Sequence, residues 1–121
     1  MNLNKIKICS EASERLKTLK MRTGLTPNIL CRIGLCLSLR EPNIPDVNAY
    51  DDEGSEFNRY TLTGEWDKLF IALFKQRCVN DGIAPDELLE PYFLAHLNRG
   101  VLSLHHNCKN LGDLQRLIPT G

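Results

Sequence analysis

Four basic residues fall within eight positions of the stretch "RLKTLKMR": Arg15, Lys17, Lys20 and Arg22, with no acid among them. Ammonium and guanidinium groups at this density can neutralise phosphates. On a helix of 3.6 residues per turn, Arg15 and Arg22 lie ~20° apart, while Lys17 and Lys20 lie ~60° apart on a different side. Between the two pairs runs an apolar stripe of Ala12, Leu16 and Leu19. The basic groups therefore flank a buried face and point outward, as on a phosphate-binding helix or on a merely solvated one. Lys5 and Lys7 alternate with Ile6 and Ile8, a period of two that places both lysines on one face of a short strand.

Other chemistry is sparse. Cys31 and Cys36 sit five apart, ~140° around a helix, so they do not share a metal easily and are read as buried core thiols. The cluster His105, His106 and Cys108 lacks a fourth ligand at a recognisable spacing, so no metal is expected. His96, in an apolar segment, is read as a packed core residue. The acidic run "DDEGSE" does not alternate its carboxylates as a calcium loop does. No phosphate-cradling glycine loop, dinucleotide fingerprint or nucleophile elbow occurs, and no nucleophile can be given a base. Neither an enzyme nor a cofactor is expected.

Charge is segregated along the chain. Net charge is zero overall, yet residues 1–40 carry eight Lys/Arg against two acids, and residues 41–67 carry eight acids against Arg59 alone. Such a split suggests a basic face for a polyanion. Alternatively, the two blocks neutralise each other in the fold. Five cysteines, an odd number, favour a reducing compartment over a disulfide framework, so the cytoplasm is expected. No secretory signal and no membrane span is visible, and 121 residues suit one domain.

The elements that must position these groups follow from local signals. A strand is expected at 4–9. Ser10 then caps a helix over 11–23, which Gly24 ends. Thr26 and Pro27 open a second helix running to Leu39, before Pro42 and Pro45. Ile29, Leu30, Cys31, Ile33, Leu35, Cys36, Leu37 and Leu39 leave that helix little polar face, which predicts burial all round and a subunit interface. Within the acidic connection, "FNRYTLT" reads as a short strand and "DDEGSE" as a hairpin turn. A third helix spans 65–80. A fourth starts at Pro85, is kinked or split by Pro91, and ends at Gly100. "VLSLHH" and "NLGDLQRLI" read as short terminal helices.

The order strand, helix, glycine turn, capped helix resembles a ribbon-helix-helix unit, in which the strand pairs with its twin in a dimer. At a more specific level, "LKTLKMRTGLTPNILCRIGLCLSLREPNIP", followed by "LFKQRCVNDG" and "HLNRGV", resembles the DndE family of DNA sulfur modification proteins. The likeness covers nearly the whole chain and is most specific over 16–45. It implies a small, tetrameric, DNA-binding accessory component of bacterial DNA phosphorothioation, with a preference for nicked duplex. It also implies partners that hold the catalysis: a cysteine desulfurase, an ATP-pyrophosphatase-like iron–sulfur protein and an SMC-like ATPase. By motif position it points to Lys17, Lys20 and Arg22 as phosphate contacts, with Lys75, Arg77 and Arg99 as further candidates. Lys5 and Lys7 join the set from the strand argument alone.

The expectation is thus a mainly α-helical single domain with a short N-terminal β-strand, homo-oligomeric, binding DNA through its backbone. The competing expectation is a protein-interaction adaptor of the same machinery, whose basic face docks an acidic partner.

Overall fold

The computed structural model describes residues 3–83 and 89–117. The chain folds as a mainly helical domain with one two-stranded antiparallel sheet. β1 (Lys5–Lys7) leads into α1 (Ser10–Thr23) and α2 (Pro27–Arg40). As the alternation predicts, Ile6 and Ile8 are fully buried, and Lys5 and Lys7 face solvent. Thr26 caps α2 through the Ile29 N–H, with Pro27 in its first turn. Gly24 closes α1 in the left-handed conformation, φ 76°, donating its N–H to Lys20 O. The α1 cap is Cys9, not Ser10: its Sγ accepts from Ala12 N, and Ser10 is the first helical residue.

Three expectations for the acidic connection change. The strand β2 (Glu56–Asn58) is shorter than "FNRYTLT", and Arg59–Thr63 forms a helical turn, α3. Asn58 Oδ1 caps that turn by accepting from the Tyr60 and Thr61 N–H groups. A half-buried pair of Arg59 with Asp67, 2.9 Å, holds the turn in place. These local bonds override the strand preference of a β-branched, aromatic run. "DDEGSE" is not a hairpin turn. It straps the start of α1, where Gly54 N–H donates to Ile8 O, Ile8 N–H to Ser55 O, and Asp51 accepts from Ser10 N–H and Oγ. Finally, β1 pairs within its own chain, Lys5 opposite Asn58, Ile6 opposite Phe57, Lys7 opposite Glu56. The ribbon-helix-helix reading has a twin strand from a second copy in that place.

A 3-10 turn (Gly64–Trp66) precedes α4 (Asp67–Asn80). Then come α5 (Leu89–Asn107) and α6 (Leu111–Leu117). The expected start at Pro85 lies outside the described residues. From Leu89 the helix is continuous: Pro91, in the first described turn, does not split it, and Gly100 does not end it. Gly100 lies mid-helix because α2 and α5 cross in backbone contact there. A Cβ on Gly100 would overlap the Gly34 carbonyl, and one on Gly34 would stand 2.9 Å from Gly100 C and Val101 N. Residues 101–106, expected as a separate helix, are the continuation of α5.

The core gathers around this crossing. Leu30, Cys31 and Leu35 of α2 are buried with Phe93, Leu97, Val101 and Leu104 of α5, and Leu16 and Leu19 of α1 join them. Phe74 of α4 meets Phe93 edge-to-face at 5.2 Å. The helices run antiparallel through the crossing: one turn on from Gly34, Ser38 meets His96, one turn before Gly100. Ser38 Oγ lies 2.8 Å from His96 Nδ1 and accepts the Arg99 Nε–H at 2.8 Å. His96 is core, as expected, and its Nε2 is buried without a partner among the described residues.

The crossing predicts a sign reversal. In an exposed helix Gly→Ala stabilises by ~1 kcal/mol. At Gly100 the steric conflict is with backbone, so Gly100→Ala should instead destabilise by about 1–3 kcal/mol in urea titration. Gly112→Ala, which would meet only the Asn110 side-chain oxygen at 3.1 Å, should be close to neutral. Equal effects at both positions would remove the special status of the crossing.

His96 predicts an acid sensitivity. Burial first, then the charges of Arg99 and Arg77, depress its pKa from 6.5 to about 4. The folded protein holds the imidazole neutral, so this contribution to stability is complete above pH 6.5. It is lost as pH falls from 6.5 to about 4, a total of about 3 kcal/mol. His96→Gln should flatten the pH dependence of the urea midpoint in that window. A variant as pH-dependent as the wild type would assign the acid loss to other groups.

Candidate nucleic-acid interface

The basic residues of α1 emerge as two groups, one on each side of the buried stripe. Lys17 and Lys20 are exposed beside a notch of about 230 Å³ between α1, the start of α2 and the β2 edge. Ser13 and Ser55 lie at one end of it, with Leu16, Pro27 and Phe57 as its apolar lining. Arg22 is exposed on the other side of the helix. Among the described residues no carboxylate lies within 4 Å of Lys17, Lys20 or Arg22. Arg15 shares an exposed contact with Glu11 at 3.7 Å, a pair of little energetic weight.

The structure adds two residues to this surface that sequence reasoning missed. His105, near the end of α5, stands close enough to Arg15, Arg22 and Lys109, just beyond that helix, to feel their charge. Burial and then Arg15, Arg22 and Lys109 push the His105 pKa below its ordinary value. A phosphate arriving here would find three cations and a neutral imidazole. His105 had been read only with His106 and Cys108, as a possible metal site. Cys108 is instead fully buried, its thiol on Asn110 O. No group of three His, Cys, Asp or Glu among the described residues could hold a metal ion. Nothing in sequence order links positions 105 and 109 to position 22; only the packing of α1 on α5 does.

The remaining candidates separate from this surface. Arg77 and Arg99 are not free side chains, being only 10% and 15% exposed. Both serve the carbonyl end of α2 and the loop beyond it. Arg77 donates to Leu39 O (3.0 Å) and Asn43 O (2.8 Å) and pairs with Asp81 at 2.7 Å. Arg99 donates to Ser38 O (2.8 Å) and Asn43 O (2.6 Å) and faces Glu41 at 3.3 Å. They supply the hydrogen bonds that the last carbonyls of a helix lack. Lys75 is exposed on α4, which packs on α2, α3 and α5. Lys5 is exposed on β1, and Lys7 stands opposite Glu56 and at the rim of an acidic cleft.

The second helix divides more sharply than its composition suggests. Leu30 and Leu35 belong to the core of their own chain, with Cys31. Cys36 is exposed, contrary to its expected burial, because ~140° of helix separates it from Cys31. Around it Ile33 and Leu37 of α2, Phe70 of α4 and Leu117 of α6 line an apolar groove of about 360 Å³. Leu73 of α4 lines a neighbouring groove with Cys36, and Trp66, Leu69 and Leu73 are each about half exposed. Among the described residues no helix is long and apolar enough to cross a membrane.

Among the described residues the geometry presents exposed cationic groups on α1 and an apolar groove beside α2. Two solved structures share the fold. The crystal structure of DndE from Escherichia coli B7A, involved in DNA phosphorothioation modification, aligns with a TM-score of 0.72 at 22% identity, covering 86% of this chain and 98% of that one. A double glycine-to-lysine mutant of DndE aligns with a TM-score of 0.68 at 20% identity, covering 86% and 99%. No curated protein matches. The family model described as DNA sulphur modification protein DndE matches residues 5–111, and the chain belongs to that family.

Proposed function

We propose that this protein is a non-catalytic DNA-binding subunit of the DNA phosphorothioation machinery, holding the duplex by its backbone and preferring nicked DNA. The observation that carries the reading is the surface of α1. Lys17 and Lys20 on one side, and Arg22 on the other, stand exposed and unpaired among the described residues, with Arg15 and His105 near Arg22. Long cationic side chains on a helix surface contact phosphates without reading base edges, so binding is sequence-tolerant. The preference for a nick rests on the family likeness. The chemistry of sulfur transfer belongs to the partners: the cysteine desulfurase, the iron–sulfur protein and the SMC-like ATPase.

The apolar surface formed by Ile33, Leu37, Trp66, Leu69 and Leu73 is the contact through which copies associate. Leu30 and Leu35, counted with that contact from sequence, are core instead. Association repeats the basic face, so several weak phosphate contacts act on one duplex at high effective concentration.

A shift assay on nicked, intact and single-stranded DNA, run without partners, tests the first claim. Lys17→Ala with Lys20→Ala should weaken binding to all sequences alike and reduce the log–log salt slope by ~0.9 per lost contact. Arg99→Ala should lower stability, since charged hydrogen bonds are worth roughly 1.5–3 kcal/mol, yet leave the slope unchanged in the folded fraction. An unaltered slope in a folded Lys17/Lys20 variant would favour the adaptor reading.

The second claim is read by light scattering. Leu37→Asp should yield a folded, dissociated protein with weaker DNA binding, whereas Leu35→Asp should unfold the chain by burying a charge. A wild-type monomer at micromolar concentration would refute association outright.

A further inference from the structure

On the side of the molecule given to β1 and the acidic strap lies a cleft of about 280 Å³ between residues 47–52 and the start of α5. Its polar lining is Lys7, Tyr50, Asp51, Asp52, Glu90 and Asn98, over a floor that includes Pro91 and Leu94. Asp51 is already committed, accepting from Ser10 and from Glu53 N–H. Asp52 and Glu90 form no ion pair among the described residues. They come from two different elements and converge on one opening. An acidic rim alone would be an ordinary solvated surface. Asn98 makes it more than that.

Asn98 is only 2% exposed. Its Oδ1 accepts the Cys9 N–H at 2.9 Å, which fixes the amide's orientation and leaves Nδ2 as a donor. Among the described residues Nδ2 has no hydrogen-bond partner. It is not sealed in the core either, since His96 Nε2 is the buried side-chain nitrogen in that condition. Asn98 is itself one of the residues that line the cleft. A buried donor held in one orientation by the backbone is a feature for recognising an acceptor. The Tyr50 phenol, its pKa raised chiefly by burial, stays neutral and presents an aromatic ring on the same wall.

We infer that this cleft is a docking site for an arginine side chain carried on a partner protein. The guanidinium would lie against Tyr50 and donate to Asp52 and Glu90, and a main-chain carbonyl of the same segment would accept from Asn98 Nδ2. Two carboxylates on separate elements suit a planar fork of donors better than a point charge. An aromatic face beside them favours the same group. The segment 41–67, net −7, repels nucleic acid, so the occupant is a polypeptide. The cleft and the basic side of α1 can then serve different partners. Lys7 stands at the rim as an internal competitor, shared between this cleft and Glu56 across the ladder.

The experiment titrates the full chain with N-acetyl-arginine methylamide, and separately with its neutral citrulline analogue, following the Asn98 side-chain amide protons by NMR. The arginine probe should move these protons saturably, and the citrulline probe should bind about tenfold more weakly, the scale of one charge-assisted hydrogen bond. Asp52→Asn with Glu90→Gln should reduce arginine affinity to a similar degree. Lys7→Met should increase it by removing the competitor. Lys7 and Asp52 are exposed and Glu90 is half-buried, and the backbone amide spectrum of each variant reads whether the fold is retained. Absence of a saturable Asn98 response, or equal responses to both probes, overturns the inference. If the Asp52/Glu90 variant dissociates the protein's own oligomer, the occupant is a second copy, and the partner reading is overturned. DNA binding by α1 is unaffected by any of these outcomes.

Discussion

Two helices meet here with no side chain between them. At Gly34 and Gly100 the backbones of α2 and α5 touch, and no residue with a Cβ fits at Gly100 without overlapping the opposing carbonyl. That contact sets the spacing of every neighbouring layer. Going one way along the crossing, Leu30 and Leu104 close on each other's side of the core. Going the other way, Ser38 and His96 are brought within a hydrogen bond, and Arg99 reaches both Ser38 and the carbonyls beyond it. A polar pair this deep is tolerable because most of its atoms are satisfied. The residue of cost is carried by His96 Nε2, and burial holds the imidazole neutral down to about pH 4. Arg99 and Arg77 then fasten Asn43, and with it the point where the acidic connection leaves α2.

The parts of this architecture that sequence could reveal are those set by neighbours in the chain. Gly24, Thr26 and Pro27 describe one helix end and the next helix start in four residues, and both ends lie where they imply. Alternation in "KIKI" gives the inside and outside of β1. Where the cause is distant, the same residue types mislead. A glycine reads as a stop whether it ends a helix or admits another backbone, and only Gly34, 66 positions earlier, distinguishes the two for Gly100. "RYTLT" reads as strand by propensity, but Asn58 and the Arg59–Asp67 pair decide for a helical turn. Arginine is the least legible residue of all. Arg22 and Arg77 have similar local settings, and what faces them, open solvent or the end of α2, is decided by tertiary packing.

Helix 2 shows the same limit for apolar residues. Counting its leucines and isoleucines correctly predicted more apolar surface than one side of the helix can hold. It could not say which residues face inward. The register at Gly34 answers that: residues 30, 31, 34, 35 and 38 form the inner face, and residues 29, 33, 36 and 37 are carried outward or to the margin. From the outward set, Ile33, Cys36 and Leu37 line one apolar groove with Phe70 and Leu117, and Cys36 lines a second with Leu73, so the surface left over is an organised apolar face.

A chain with no net charge can present a cationic surface only if its acids are held elsewhere, and α1 shows how this is done. Glu11 and the strap carboxylate Asp51 sit at its N-terminal end, where the helix dipole favours negative charge. Lys20 and Arg22 sit in its last turn, where the dipole favours positive charge. Three hydrogen bonds, from Glu53 and from the backbone and hydroxyl of Ser10, hold the Asp51 carboxyl below its ordinary pKa, so it stays ionised at that end. Stability of the helix would by itself account for this much of the sorting, at roughly 0.3–1 kcal/mol per charge. It does not account for Lys17, which lies outside the last turn. Nor does it account for His105, which belongs to a different part of the chain and stands near Arg15, Arg22 and Lys109 as a neutral imidazole. The packing of α1 on α5, rather than helix electrostatics, therefore decides which groups share this face.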